Sequence, residues 1–311
     1  MKEEYLIIAN LHAGGNTGEK DWPIIEAGLI EEGFKYKTVF TNRRGHAIEI
    51  AKNLITKGYR NIIGVGGDGT LNEIVNGVFL QTNVPYNQIT IGMIPIGTGN
   101  DWCRTFNIPN DYNEAIAVIK NNKKVFQDIA KISFCSEGEE SDRYFINVAG
   151  MGFDAVVLRK SNEDKEKRRG KVSSLVYYKN ILSTLFTHKS LPCKISIDNK
   201  SFEVDVFSLN AGLCKYSGGG MMQVPNAVFN DGMLDVTIIN RIKKFKVIRN
   251  IKKLYDGSFI NLKEVQTHKT KCLHVESKHN LLLEADGEFL GNAPAKFSIV
   301  PSALNIISNL K

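Results

Sequence analysis

The sequence predicts two domains: an N-terminal α/β domain on a parallel sheet, then a mainly antiparallel β-rich domain, with a border near residue 125. Three observations carry this. Strand-like and helix-like runs alternate through the first third at lengths that suit right-handed crossovers. Beyond Asn122–Lys124 the strand-like runs crowd together with turn residues between them. The chain has 311 residues, enough for one large domain or two ordinary ones.

Each element follows from local pattern. Tyr5–Ala9 is a short β-rich run, followed by a glycine-rich loop at 14–18. Trp22–Glu32 has helical character and is ended by Gly33; Phe34–Phe40 reads as a second strand. Ala47, Ile48, Ala51 and Leu54 set a helical repeat across Gly45–Lys57. Asn61–Val65 is a third strand, Leu71–Leu80 a third helix, and Ile89–Ile94 a fourth strand stopped by Pro95. The second domain is expected to hold strands at Val125–Phe134, Tyr144–Ala149, Cys193–Ile197, Phe202–Leu209, Leu234–Ile239, Leu273–Val275, Leu281–Glu284 and Lys296–Val300. Helical patterns at Leu175–Phe186 and Ile242–Tyr255 interrupt them.

Composition narrows the function. A hydrophobic fraction of 42% and a charged fraction of 23% exclude a disordered tail or a fibre. The five cysteines are scattered and odd in number, which argues against a disulfide framework and for a reducing compartment. The start, Met1-Lys2-Glu3-Glu4, is wrong for a signal peptide, and no apolar run has the length of a spanning helix. The net charge of +7 suits an anionic partner. It is concentrated: Arg159–Lys171 holds seven basic and three acidic residues, and Arg241–Lys253 holds seven basic residues and no acid.

The sharpest motif is Gly66-Gly67-Asp68-Gly69-Thr70, between a strand and a helix. Glycines let backbone approach a ligand closely, and the helix start offers unpaired N–H groups to phosphate. Thr70 and Glu73 have capping-box spacing. A plain glycine turn would also explain the segment. A second loop, Ile94-Pro95-Ile96-Gly97-Thr98-Gly99-Asn100-Asp101, follows the fourth strand. In a parallel sheet these loops, the Asn10–Gly18 loop and Thr41 share one rim, where ligands bind. Asp68 suits Mg²⁺, a hard cation that takes carboxylate oxygens.

GGDGTLNEIVNG at 66–77 with PIGTGNDWCR at 95–104 resembles the diacylglycerol kinase catalytic family, which includes bacterial diacylglycerol and YegS-like lipid kinases and the sphingosine and ceramide kinases. The resemblance runs nearly the whole chain. Ile8-Ala9-Asn10-Leu11-His12-Ala13-Gly14 looks like the family's Asn-Pro-x-Ser/Ala-Gly loop with leucine in place of proline, and Thr41 matches a threonine at the nucleotide. Asp286-Gly287-Glu288 matches the acidic motif that supplies the catalytic base. The GGDGT loop is shared with NAD kinases and phosphofructokinases; the second loop and the late acidic motif are more specific.

The resemblance implies an NAD kinase/phosphofructokinase-like nucleotide domain, with residues 296–311 returning to it, and a lipid-acceptor domain over 126–295. It implies ATP as donor, held by Asn10, Ala13, Gly14, Thr41, Gly66, Gly67, Asp68, Gly69, Thr70, Asn72, Glu73, Gly97, Thr98 and Asn100. It implies Mg²⁺ through Asp68, and Asp286 as base with Glu288 as metal or supporting partner, or the reverse. Asp286-Gly287 is equally a hairpin signal. Gly218–Gly220 and the 225–235 stretch match a segment that binds a structural Mg²⁺ in some bacterial members, here through the Asp231 carboxylate and the carbonyls of Val228 and Met233.

The expected activity is an ATP- and Mg²⁺-dependent lipid kinase, cytoplasmic and peripheral at the inner membrane face. The acceptor stays open among diacylglycerol, phosphatidylglycerol, a sphingoid base and ceramide. The rivals are an NAD kinase-like enzyme and a non-catalytic nucleotide- or lipid-binding protein. Ile242, Phe245, Ile248 and Ile251 recur at helical spacing among cations, so Arg241–Lys253 is expected as one amphipathic basic helix on anionic membrane, with Arg159–Lys171 as a second contact. No nucleic-acid motif appears, so no nucleic-acid partner is expected. Relatives imply a homodimer.

Overall fold

The computed structural model describes residues 4–97, 99–136, 138–167, 174–198 and 200–310. The chain divides into two compact units, Met1–Ile129 with Val300–Lys311, and Ala130–Ile299. The border expected at 125 therefore falls inside a strand, Lys124–Ser136.

The first unit begins with β1 (Tyr5–Ala9), α1 (Ala13–Asn16), α2 (Gly18–Glu31), β2 (Tyr36–Phe40) and α3 (His46–Thr56). It continues with β3 (Asn61–Gly66), α4 (Asp68–Leu80), β4 (Thr90–Pro95), α5 (Asp101–Thr105) and α6 (Tyr112–Asn121). Parallel pairings join β2 to β1, β1 to β3 and β3 to β4. All six residues of β4 are buried, as are five of the six in β3, the pattern of strands covered on both faces. Ile7, Ile63 and Val65 pack with Trp22, Ile25 and Leu29 of α2 and with Ile116 and Ile119 of α6. Helices α3 and α4 meet at Gly77, where a Cβ would stand 2.5 Å from the Ile48 carbonyl oxygen and 2.7 Å from the Ala51 Cβ.

The second unit follows β5 (Lys124–Ser136), which crosses the border, with β6 (Glu139–Phe145), β7 (Val148–Gly152), α7 (Phe153–Lys167) and α8 (Ser174–Thr187). Then come β8 (Leu191–Ile197), β9 (Lys200–Gly212), β10 (Leu234–Asn240), α9 (Lys244–Asn250) and α10 (Lys253–Asp256). The chain ends with β11 (Val265–Thr270), β12 (Cys272–Glu276), β13 (Leu282–Ala285) and β14 (Glu288–Ile307). The far end of β14 belongs to the first unit, where Asn305 and Ile306 pair in parallel with Thr90 and Ile91 of β4. In the second unit β5–β6, β7–β9, β7–β13, β8–β9, β8–β12, β9–β10, β10–β11, β12–β14 and β13–β14 pair antiparallel. Strand β9 pairs with β8 through 200–206 and with β7 through 208–212. Likewise β14 pairs with β13 near 288–292 and with β12 near 295–298. With β7 bound to β13 and β12 to β8, the strands close in the circuit β9–β7–β13–β14–β12–β8. Ala149, Met151, Leu209, Ala211, Leu283 and Phe297 fill the inside.

Three expected elements differ. The run Tyr144–Ala149 is broken between β6 and β7, because the amides at the break turn to a carboxylate described below. The single helix expected over Ile242–Tyr255 is two short helices. Ile251 and Lys252 between them keep helical φ/ψ, but the backbone bonds from Ile251, Leu254 and Tyr255 tighten to i−3. The third helix starts at Asp68 rather than Leu71, with Gly67 as N-cap. Thr70 makes no capping box there. Glu73 instead accepts from the N–H groups of Gly45 at 2.8 Å and Ala47 at 3.1 Å, so it caps α3.

Gly77→Ala tests the α3–α4 contact. The added methyl has no room, and overpacking of this kind costs about 1–3 kcal/mol. Urea unfolding of the variant should show a lower midpoint with an unchanged slope.

Candidate active site

In the first unit the site is built where β1, β2, β3 and β4 end. The Asn10 N–H donates to the Val65 carbonyl at 2.9 Å, and its Nδ2 donates to Thr70 Oγ1 at 3.1 Å. The loop after β1 is thereby tied to the start of α4. Thr41 continues the β1–β2 pairing, its N–H 2.9 Å from the Ala9 carbonyl. Gly14 has φ +62°, and a Cβ there would stand 2.2 Å from the Ile96 carbonyl, so only glycine fits this crossing. Ala13 is part of the same turn. The Ile96 N–H donates to the Gly66 carbonyl at 2.8 Å, and Gly67 and Gly97 pack backbone against backbone. The structure thus brings Asn10, Ala13, Gly14, Thr41, Gly66, Gly67, Asp68, Gly69, Thr70 and Gly97 to one rim. Thr98 lies outside the described residues.

Asp68 is the joint. It sits in the first turn of α4, and its two oxygens accept the N–H groups of Asp101 and Trp102, each at 3.2 Å. Those donors open α5, so the carboxylate satisfies N–H groups that have no partner inside that helix. Burial holds the Asp68 carboxyl above the usual range; the backbone donor of Trp102 opposes this and the charge of Asp101 adds to it. Both carboxylates border Gly99, whose Cβ would stand 3.4 Å from Asp68 Oδ2 and 3.7 Å from Asp101 Oδ2. Two nearly buried carboxylates side by side fit a hard divalent cation. Asp101 belongs to the site although the sequence singled out only its neighbours; its place one residue after Asn100 was the available signal.

Three of the expected nucleotide residues also make contacts within the scaffold. Asn72 is buried inside α4, where its Oδ1 accepts from Asn76 Nδ2 at 3.0 Å. Asn100 Nδ2 donates to the Gly97 carbonyl at 2.8 Å and to Asn110 Oδ1 at 2.9 Å, so it shapes the glycine loop. Glu73 belongs with them through its cap on α3.

In the second unit the acidic motif forms the β13–β14 hairpin. Asp286 has φ +47° and Gly287 φ +79°, the two positive values of a type I′ turn. The hairpin reading and a functional carboxylate coexist. Asp286 accepts the N–H groups of Ile146 at 2.9 Å, Asn147 at 3.0 Å and Val148 at 3.1 Å. These amides are the ones lost to pairing between β6 and β7. Glu288 forms an ion pair with Arg143. Glu284, which sequence reasoning passed over, accepts the Gly287 N–H at 3.1 Å and fixes the turn from below; burial pushes its carboxyl well above the ordinary range.

The expected structural Mg²⁺ segment has its own cation. Lys269 Nζ lies 2.6 Å from Asp231 Oδ2 and 3.7 Å from Asp235 Oδ2. The other Asp231 oxygen accepts the Met233 N–H at 3.1 Å. Burial raises the Asp235 carboxyl to about 6, against the pull of Lys269. The Asp231 carboxylate that would hold the structural Mg²⁺, with the carbonyls of Val228 and Met233, is thus held by Lys269 and by the Met233 N–H. Among the described residues no cluster of three or more His, Cys, Asp or Glu side chains could hold a metal ion.

Comparison with known proteins agrees with this geometry. Residues 4–132 match the diacylglycerol kinase catalytic domain, and residues 147–308 match the YegS C-terminal NAD kinase beta sandwich-like domain. A diacylglycerol kinase of Staphylococcus haemolyticus (strain JCSC1435) is 30% identical over 297 residues, covering 96% of this chain and 86% of that protein. The crystal structure of a diacylglycerol kinase from Bacillus anthracis str. Sterne aligns with a TM-score of 0.72 at 23% identity, covering 99% of this chain and 97% of that one. Yeast NADH kinase, solved with NADH, shares the fold at a TM-score of 0.54 and 9% identity, over 99% of this chain and 84% of that one. With both domain models matched in order along a chain of the same overall fold, this protein belongs to the diacylglycerol kinase family of lipid kinases.

Proposed function

We propose that the protein transfers the γ-phosphate of ATP, with Mg²⁺, to the hydroxyl of a membrane lipid such as diacylglycerol. The observation that carries this is the rim where two glycine loops and the start of α4 are locked together by Asp68 beside a second carboxylate. Phosphoryl transfer asks mainly for positioning and charge neutralisation. The backbone N–H groups at Gly67–Gly69 and the positive end of α4 are suited to the nucleotide phosphates. Asp68 and Asp101 would hold Mg²⁺, which supplies charge neutralisation on the γ-phosphate.

For the base, the hairpin favours Glu288 over Asp286. Asp286 already accepts three backbone donors, out of about four lone-pair directions in a carboxylate. Its role is then to hold the hairpin, and Glu288, oriented by Arg143, takes the acceptor's hydroxyl proton. No described helix is long and apolar enough to cross a membrane, so access to lipid is proposed as peripheral, at the inner face. Anionic lipid would meet the cations of Arg241–Lys253, of which Lys246 is already paired with Glu264 at 2.6 Å, and those of Arg159–Lys171, whose residues 168–171 lie outside the described residues. A homodimer is part of the same proposal, and a nucleic-acid partner is not.

Incubation with labelled ATP, Mg²⁺ and total lipid extract should place the label on a lipid phosphomonoester identified by mass spectrometry. Label found only on NADP after addition of NAD would favour a nucleotide kinase, and ATP binding without any product would favour a binding protein. Glu288→Gln should lower kcat by roughly 10²–10⁴ with KM for ATP little changed. A larger loss of kcat in Asp286→Asn than in Glu288→Gln, with native circular dichroism in both, would reverse the two roles.

A further inference from the structure

The second unit contains a cavity of about 310 Å³ that the proposed chemistry does not use. It lies beside α7 and the end of α8. Val156, Leu191 and Leu282 give it apolar walls, while Arg159, His188 and Lys189 give it nitrogen. No carboxylate lines it among the described residues. Among the described residues, the ion-pair partner of Arg159 is Glu163, at 3.9 Å one turn along α7. The His188 ring is fixed: its Nε2–H donates to the Phe207 carbonyl at 2.9 Å, and it makes T-shaped contacts with the rings of Phe153 and Phe207. Burial lowers its proton affinity, so the positive charge facing the cavity comes from Arg159 and Lys189.

The surroundings are apolar and exposed. Leu182 and Phe186 are four residues apart on α8, hence on one face, and Phe186 directly precedes the cavity residues Thr187 to Lys189. Lys244 Nζ donates to the Phe186 carbonyl, which brings the start of α9 to the same corner. The next residue, Phe245, is 81% exposed, and Phe186 is 54% exposed. Exposed phenylalanines at the corner of a cationic cavity suit a bilayer surface, which offers phosphate and hydrocarbon at adjacent depths.

We propose that this cavity holds the phosphate of an anionic phospholipid through Arg159 and Lys189, while Leu182, Phe186 and Phe245 enter the bilayer beside it. The inference rests on the reading that the enzyme works at a lipid surface, and goes further by assigning a defined headgroup site away from the catalytic residues.

Vesicle sedimentation with the full chain tests it, using phosphatidylcholine alone and phosphatidylcholine with phosphatidylglycerol. The wild type should bind the anionic vesicles. Arg159→Gln with Lys189→Gln should weaken that binding about thirtyfold, from two cations at about 1 kcal/mol each. Phe245→Ser should weaken it too. If the double variant loses its native circular dichroism, Lys189→Glu alone, at an exposed position, gives the same reading. Wild-type binding by a folded double variant or by Lys189→Glu would overturn the site. Inorganic phosphate that displaces the wild type from vesicles through Arg159 and Lys189, with Phe245→Ser unaffected, would assign the cavity to soluble phosphate and overturn the lipid source. A wild type that binds no vesicle but still phosphorylates a short-chain dispersed acceptor would overturn the docking proposal and leave the kinase reading standing.

Discussion

A half-buried carboxylate between two loops is the constraint on which the rim of the first unit depends. Asp68 stands in the first turn of α4 and accepts two N–H groups from the first turn of α5. The glycines around it follow from that bond. Gly67 and Gly97 must meet without side chains for the loops to come this close, and Gly14 must pass against the Ile96 carbonyl. Burial near a second acid disfavours the charged form of Asp68, and nothing in the fold relieves this fully. A cation bound between Asp68 and Asp101 would favour the charged form.

The second unit shows the same device in another form. Asp286 gathers three backbone amides and ends the pairing between β6 and β7. Glu284 holds the other side of the turn. The acidic hairpin is thus a rigid mount, and Glu288 is presented from it with Arg143 as its partner. In both units a carboxylate with backbone donors fixes a loop, and a second acid stands beside it, Asp101 near Arg104 and Glu288 paired with Arg143.

Much of this was legible in the sequence, and the failures have physical causes. The glycine loops were legible because their residues are needed by backbone geometry that few other residues satisfy. Asp286-Gly287 was legible as a turn for the same reason. Glu73 was misplaced because capping-box spacing is local, while its partners at Gly45 and Ala47 are distant in sequence. Asp101 was passed over because its value lies in standing near Asp68, a fact of tertiary structure. Helix α7 escaped notice because polar and charged residues dominate its sequence, and the break between α9 and α10 is a tightening of backbone bonds to i−3 at Ile251, Leu254 and Tyr255 that no side-chain pattern marks. Lys269 at Asp231 could be found only from the pairing of β10 with β11, which places Lys269 opposite Asp235.

The central claim is that Asp68 and Asp101 form the divalent-cation site at which ATP is held. The most direct measurement is thermal unfolding with a non-hydrolysable ATP analogue, with and without Mg²⁺, for the wild type and for Asp68→Asn. A ligand that binds only the folded state raises Tm in proportion to its binding free energy. The account predicts a clear Mg²⁺-dependent rise in the wild type that Asp68→Asn abolishes. An equal Mg²⁺-dependent rise in both proteins would contradict it.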